Sequence, residues 1–162
     1  MRFRRIADLS VSWRARMALA PQFAESIKKV RVTFGFAQFD CDTAAITTAV
    51  GIVPDEVRRK GEQIPVRGGR LLTVPFSTWS ISSSTDSKDV NDHCRELLKR
   101  LAGAVGRLDP RWGVPSFSVL YKATHLCAGN GPFFEPDVVR GIAALGAELG
   151  QDIYSIEETT PN

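Results

Sequence analysis

The chain of 162 residues is poor in the residues that usually betray a reactive centre: three cysteines and two histidines. Cys41, Cys94 and Cys127 are odd in number and far apart, and no two form a CxxC pair. That excludes a disulfide framework as the organising device and predicts a reducing compartment, the cytoplasm. No apolar run approaches the ~20 residues that a membrane-spanning helix needs, and no signal-peptide h-region is found. The phosphate-loop pattern GxxxxGK[ST] is missing, as is a Gly-x-Gly-x-x-Gly after a strand. No serine sits in a GxSxG setting. These absences exclude the commonest nucleotide-binding and nucleophilic-elbow chemistries.

What is present is ordinary globular composition, 43% hydrophobic and 24% charged. A single domain of this length can bury roughly two thirds of its unfolded surface without staples. The net charge of +3 is unevenly spread. Residues 1–31 carry eight Lys or Arg against two acids, and residues 32–162 carry 13 against 16, so +6 and −3. The basic excess belongs to an N-terminal arm, and the body is mildly acidic. The arm, 1–29, is expected to be an extended or misassigned start, with Met17 as a later start. A single domain is expected over 30–157, followed by a tail, 158–162.

Periodicity supplies the elements. Trp13 to Ile27 is a weak helix candidate interrupted by Pro21. Val30, Val32, Phe34 and Phe36 alternate with polar or small residues, which predicts a strand with one apolar face. Asp42 can cap a helix over 43–50 that Gly51 ends. Glu56 to Lys60 is short and charged and reads as an edge strand. Residues 62–73 mix charges with Pro65, Gly68 and Gly69 and read as an exposed loop. Phe76 to Ser82 is a strand with Trp79 and Ile81 on one face.

The strongest helix is expected over 88–105, capped by Asp86 or Ser87. Its apolar stripe is Val90, Cys94, Leu97, Leu98, Leu101, Val105 and Leu108. Ser116 to Lys122 is a further strand. A last helix begins near Pro136 with the face Val139, Ile142, Ala143 and Leu149. A last strand covers 151–156. The order predicts an α+β fold: a ferredoxin-like, split βαβ core with an additional C-terminal helix and strand. Its helices should cover one face of a mixed sheet.

Several of these pieces, in this order, resemble a bacterial family, domain of unknown function 4279. They are the aromatic strand Val32 to Phe36, the capped helix from Asp42, Gly51-Ile52-Val53-Pro54-Asp55, Arg59-Lys60-Gly61 and Thr78-Trp79-Ser80-Ile81. The long helix with Leu97, Leu98 and Leu101 follows. Gly129-Asn130-Gly131, Ala144-Leu145-Gly146 and Asp152-Ile153-Tyr154 complete the set. The resemblance covers about 30–157 and implies an α+β domain without an established activity.

Candidate sites are few. His93, Cys94, His125 and Cys127 lack the spacing of a zinc site; His93 and Cys94 are neighbours on one helix and diverge by about 100°. No metal and no cofactor is expected. Cys41 precedes a helix, where a thiol pKa can fall, but no base can be assigned to it. Gly129, Asn130 and Gly131 form either a tight turn or a small anion cradle. Arg58, Lys60, Trp79 and Tyr154 offer an aromatic–basic surface, although a lone strand tryptophan is more often a core anchor. With no convergent reactive groups, the expected function is a non-catalytic protein-binding module, immunity-type or self-associating. The alternative is a small-molecule or anion binder, or a weak enzyme, using the sheet face and the Gly-Asn-Gly turn. The acidic body argues against nucleic acid.

Overall fold

A computed structural model describes residues 27–66, 68–124 and 131–156. Strand β1, Ile27–Ala37, is central, and its alternation is the one expected. Val30, Val32, Phe34 and Phe36 are all buried. Helix α1, Thr43–Val50, follows. The Asp42 carboxylate accepts from the Ala44 N–H at 3.1 Å, and Gly51 adopts φ 74° while its N–H bonds the Thr47 carbonyl. A β-carbon is disfavoured in that left-handed conformation, so glycine is the natural stop.

Strand β2, Glu56–Arg58, is an edge strand as expected, though two residues shorter. The segment 62–73 is not a bare loop. It holds β3, Gln63–Pro65, and β4, Leu71–Thr73, paired antiparallel as a separate two-stranded sheet. Gly68 and Gly69 take φ 89° and 73° at the turn, and the Val66 N–H closes it on the Arg70 carbonyl at 2.8 Å. Three-residue strands are too short to show a period, so turn chemistry dominated the reading.

Strand β5, Thr78–Ser82, precedes helix α2, Val90–Leu101. Its cap is Asp89 rather than Asp86 or Ser87; the carboxylate accepts from the Asn91 N–H at 2.9 Å. Ser87 instead supports the cap, accepting from the Asp89 N–H at 3.0 Å and donating to Asp92 at 2.7 Å. The α-helix stops at Leu101 and tightens into a 3₁₀ turn over Ala102–Ala104. Gly103 lowers helix propensity there, and Val105 is exposed instead of extending the stripe. Strand β6, Ser116–Ala123, helix α3, Pro136–Ala144, and strand β7, Glu148–Ser155, complete the chain. The inward face of α3 is Val138 and Ile142, with Leu145 just beyond, whereas Val139 points to solvent. Leu149 belongs to β7.

The fold is α+β, with a mixed five-stranded sheet in the order β2-β5-β1-β6-β7. All pairs are antiparallel except β6 with β7. Side chains from the three helices meet the Val30–Phe36 face of β1 in one core, which also holds Trp79, Ile81, Phe117 and Trp112. The Phe36 ring stands edge-on to Trp112 at 5.8 Å between centroids, and the Phe34 and Phe117 rings lie 5.3 Å apart. Such pairs add about 0.5–1.5 kcal/mol each beyond area burial. Helices α2 and α3 approach closely at Gly141, where a β-carbon would fall 2.6 Å from a Leu98 methyl. No helix among the described residues is long and apolar enough to cross a membrane. The Trp13–Ile27 helix candidate lies outside the described residues but for Ile27.

Candidate functional site

The pleat that buries Val30, Val32, Phe34 and Phe36 turns the alternate residues of β1 to the opposite side. That side carries small and hydroxylated residues: Thr33 and Gly35 from β1, Thr78 and Ser80 from β5, Ser116 and Ser118 from β6. The β3–β4 hairpin and the segment after it lean over one end. A groove of about 380 Å³ results, floored by those residues and walled by Leu72, Val74, Pro75 and Phe76. Val74 is buried although it does not belong to the helix-side core. Its backbone fixes it there: its N–H bonds the Glu62 carbonyl and its carbonyl accepts from Gly61, both at 2.8 Å.

Gly35 is required on the floor. A β-carbon would lie 2.5 Å from the Trp79 carbonyl oxygen and 3.0 Å from the Ser80 β-carbon, because β1 and β5 run very close here. The groove's charges are Glu56 and Arg58 on β2, and they neutralise each other, with Arg58 Nε donating to Glu56 at 2.7 Å. The groove is therefore not an acidic patch.

The residues singled out in the sequence do not converge. Arg58 lines the groove at one edge of the sheet. Lys60 borders a second, smaller hollow of about 300 Å³ beside Gln38, Asp40 and Ser77. Trp79 is fully buried on the helix side, and its indole N–H donates to Thr47 at 3.0 Å, so its ring is a core anchor. Tyr154 stands on the opposite sheet edge, half exposed, with the Lys122 ammonium 5.6 Å from its ring centroid. The two edges are four strand spacings apart, about 19 Å. Gly131 lies near Ile153 of β7. Gly129, Asn130, His125 and Cys127 lie outside the described residues.

One constellation escaped the sequence reading. The Ser83 hydroxyl lies 2.6 Å from His93 Nδ1, and His93 Nε2 lies 2.7 Å from the Ser87 carbonyl oxygen. A carbonyl accepts only, so Nε2 carries a proton and donates to it. This has the skeleton of a nucleophile, a base and an orienting group. Its surroundings give it another role. His93 is 2% exposed, and the Ser83 hydroxyl also contacts the N–H and carbonyl of Val32 at 3.3 and 3.2 Å.

The neighbouring N–H groups of Ser84 and Thr85, which could have stabilised an oxyanion, are bonded to the Glu96 carboxylate at 2.9–3.0 Å. The serine–histidine pair is thus a latch between β1, the 83–89 connection and α2. Burial pushes the Glu96 carboxyl up, but hydrogen bonds from Ser84 and Thr85, with Arg100 nearby, outweigh it and hold it below the usual carboxylate range. The signal for this latch was faint: a histidine and a glutamate at i and i+3 on α2, after a serine run.

Burial, with the Asp89 charge adding to it, pushes the Cys94 thiol up to about 12, which makes it a poor nucleophile and metal ligand. Cys41 is exposed. Among the described residues no three or more His, Cys, Asp or Glu side chains cluster as a metal site would require.

The fold and groove define a small α+β domain with an open sheet face and no assembled reactive centre among its described residues. The chain belongs to the family described as "Domain of unknown function (DUF4279)", whose model matches residues 28–156. No curated protein and no solved structure matches the chain.

Proposed function

We propose that the domain is a non-catalytic protein-binding module that receives an extended segment of a partner in the groove on its helix-free sheet face. The carrying observation is the groove's chemistry. Small hydroxyls from Thr78, Ser80, Ser116 and Ser118, with Thr33 paired to Ser82 at 3.3 Å, lie beside an apolar wall of Leu72, Val74 and Phe76, and among the described residues its only acid and base are bonded to each other. Hydroxyls of this kind both donate and accept, which suits a peptide backbone, and an apolar wall suits alternate side chains. Among the described residues no unpaired titratable group faces the groove to take up or deliver a proton. An immunity-type pairing in a bacterial cytoplasm is the particular form we favour, because the mildly acidic body suits a basic partner.

The architecture read here is a ferredoxin-like core. In its support, β5 lies between β1 and β2, and β6 takes the other side of β1, with α1 and α2 as the two crossovers. Helix α3 and β7 are then an extension of that core.

A second reading is a small-molecule binder, favoured by one observation: 380 Å³ falls within the range of ligand pockets. A displayed random-peptide library separates the two. The module reading expects enrichment of extended peptides on the wild-type domain and its loss on Ser80→Arg/Ser118→Arg. No enrichment, together with a small molecule that raises the melting temperature and is blocked by the same pair of substitutions, would replace it with the second reading.

A further inference from the structure

The two edges of the sheet are built differently. Strand β2 is three residues long, follows Pro54 and carries Glu56 and Arg58. Short length and charge are the usual protections of an edge. Strand β7 has eight residues, all exposed, with no proline, no lysine and no bulge in its pairing with β6. Leu149, Ile153 and Tyr154 are exposed along it. Among the described residues no strand pairs with its outer side.

Which backbone groups point outward follows from the ends of the strand. The Glu148 N–H bonds the Pro115 carbonyl at 2.8 Å, and the Ile156 N–H bonds the Ala123 carbonyl at 2.9 Å. Even-numbered residues therefore face β6, and Leu149, Gln151 and Ile153 present their N–H and C=O groups outward.

We propose that β7 is the interface of a two-fold homodimer, in which β7 of one copy pairs antiparallel with β7 of a second copy, centred on Gln151. The sequence of the strand favours this occupant because it is self-complementary when centred on Gln151. Centred on Gln151, Leu149 faces Ile153 of the second copy, Ile153 faces Leu149, and Gln151 faces itself, all as hydrogen-bonded pairs. On the other face of the strand Gly150 lies opposite Asp152, and Glu148 lies opposite Tyr154, beside the Lys122 ammonium that covers that ring. No acid meets an acid, and Glu148 is brought toward a positive charge. Moving the centre to Asp152 would set two aspartates against each other, which destabilises a pair. The sheet then continues through the dimer as ten strands, five from each copy. This edge is distinct from the groove, so each can fail without the other.

The test is the molar mass of the full chain in solution, by sedimentation across a wide concentration range. A species of twice 17.8 kDa is expected to grow with concentration. Gln151→Lys, at an exposed position, places like charges on the axis and should weaken the dimer roughly tenfold or more while the circular dichroism stays unchanged. The register is tested in a background with Cys41→Ser and Cys127→Ser that keeps the buried Cys94. There Gln151→Cys should form an intermolecular disulfide, since hydrogen-bonded antiparallel partners have Cα atoms about 5.5 Å apart. Asp152→Cys should not, its two copies lying about 8 Å apart. A monomer at every concentration overturns the proposal, as does a dimer that Gln151→Lys leaves intact or cross-linking that is equal at 151 and 152.

Discussion

The two faces of the same sheet obey opposite rules. On the helix side β1 presents Val30, Val32, Phe34 and Phe36, all buried, against aromatic and aliphatic partners from every helix. On the other side the same strand presents Thr33, Gly35 and Ala37 to a groove that water enters. One face supplies cohesion through buried area, at about 25 cal/mol per Å². The other contributes little cohesion and leaves hydroxyls such as those of Ser80 and Ser118 to the groove, Thr33 being paired with Ser82 at 3.3 Å. In a domain whose described residues assemble no reactive centre, the face not needed for stability is where recognition is to be sought.

That contrast can be broken most sharply from the core side. Phe34→Ala or Leu101→Ala should cost about 2–5 kcal/mol, because both side chains are fully buried and their loss leaves a cavity. Urea denaturation measures it; a loss below about 0.5 kcal/mol would mean the face does not carry the core. Leu98 should cost less, since it is only partly buried against α3.

Gly35 is where the two faces constrain each other. Gly35→Ala drives a β-carbon into the Trp79 carbonyl and should cost about 1–3 kcal/mol, as overpacking does. It should also disturb the groove floor. An unchanged unfolding midpoint would show that β1 and β5 can move apart freely.

A smaller effect is pH-dependent. The Glu96 carboxyl is held below its ordinary value in the folded chain, so its contribution is present above the unfolded value near 4.5 and is lost as pH falls through the folded one. Glu96→Gln should be less stable than wild type at neutral pH, and the gap should narrow under acid. Equal acid sensitivity of the two proteins would remove the Ser84–Thr85 clamp from the account.

How legible this was in the sequence varies by element. Helix α1 was read with its correct bounds, because a capping aspartate and a left-handed glycine are local devices. The buried faces of β1, β5 and β6 were legible from strict alternation. The β3–β4 hairpin was not, since three-residue strands leave no period. The α3 face is legible only to within one position, Val138 rather than Val139 being buried, because Ile142 shares a helix face with either at a spacing of four or three. The groove is only half legible: the alternation that sets Trp79 and Ile81 on one face sets Thr78 and Ser80 on the other, but that the hairpin leans over it is a tertiary fact. The latch joins Ser83 to His93 and Ser84 to Glu96, pairs ten and twelve residues apart, and only folding brings them together.

The central claim is that recognition resides on the helix-free face and is separable from stability. Its most direct measurement is the calorimetric titration of a groove-selected peptide into wild type and into Ser80→Arg/Ser118→Arg, beside the unfolding midpoint of each. The account predicts at least a roughly tenfold loss of affinity, 1.4 kcal/mol or more, with the unfolding free energy changed by no more than about 0.5 kcal/mol. Undiminished affinity in the variant would contradict it, because a binding surface filled by two arginines cannot still be the one in use.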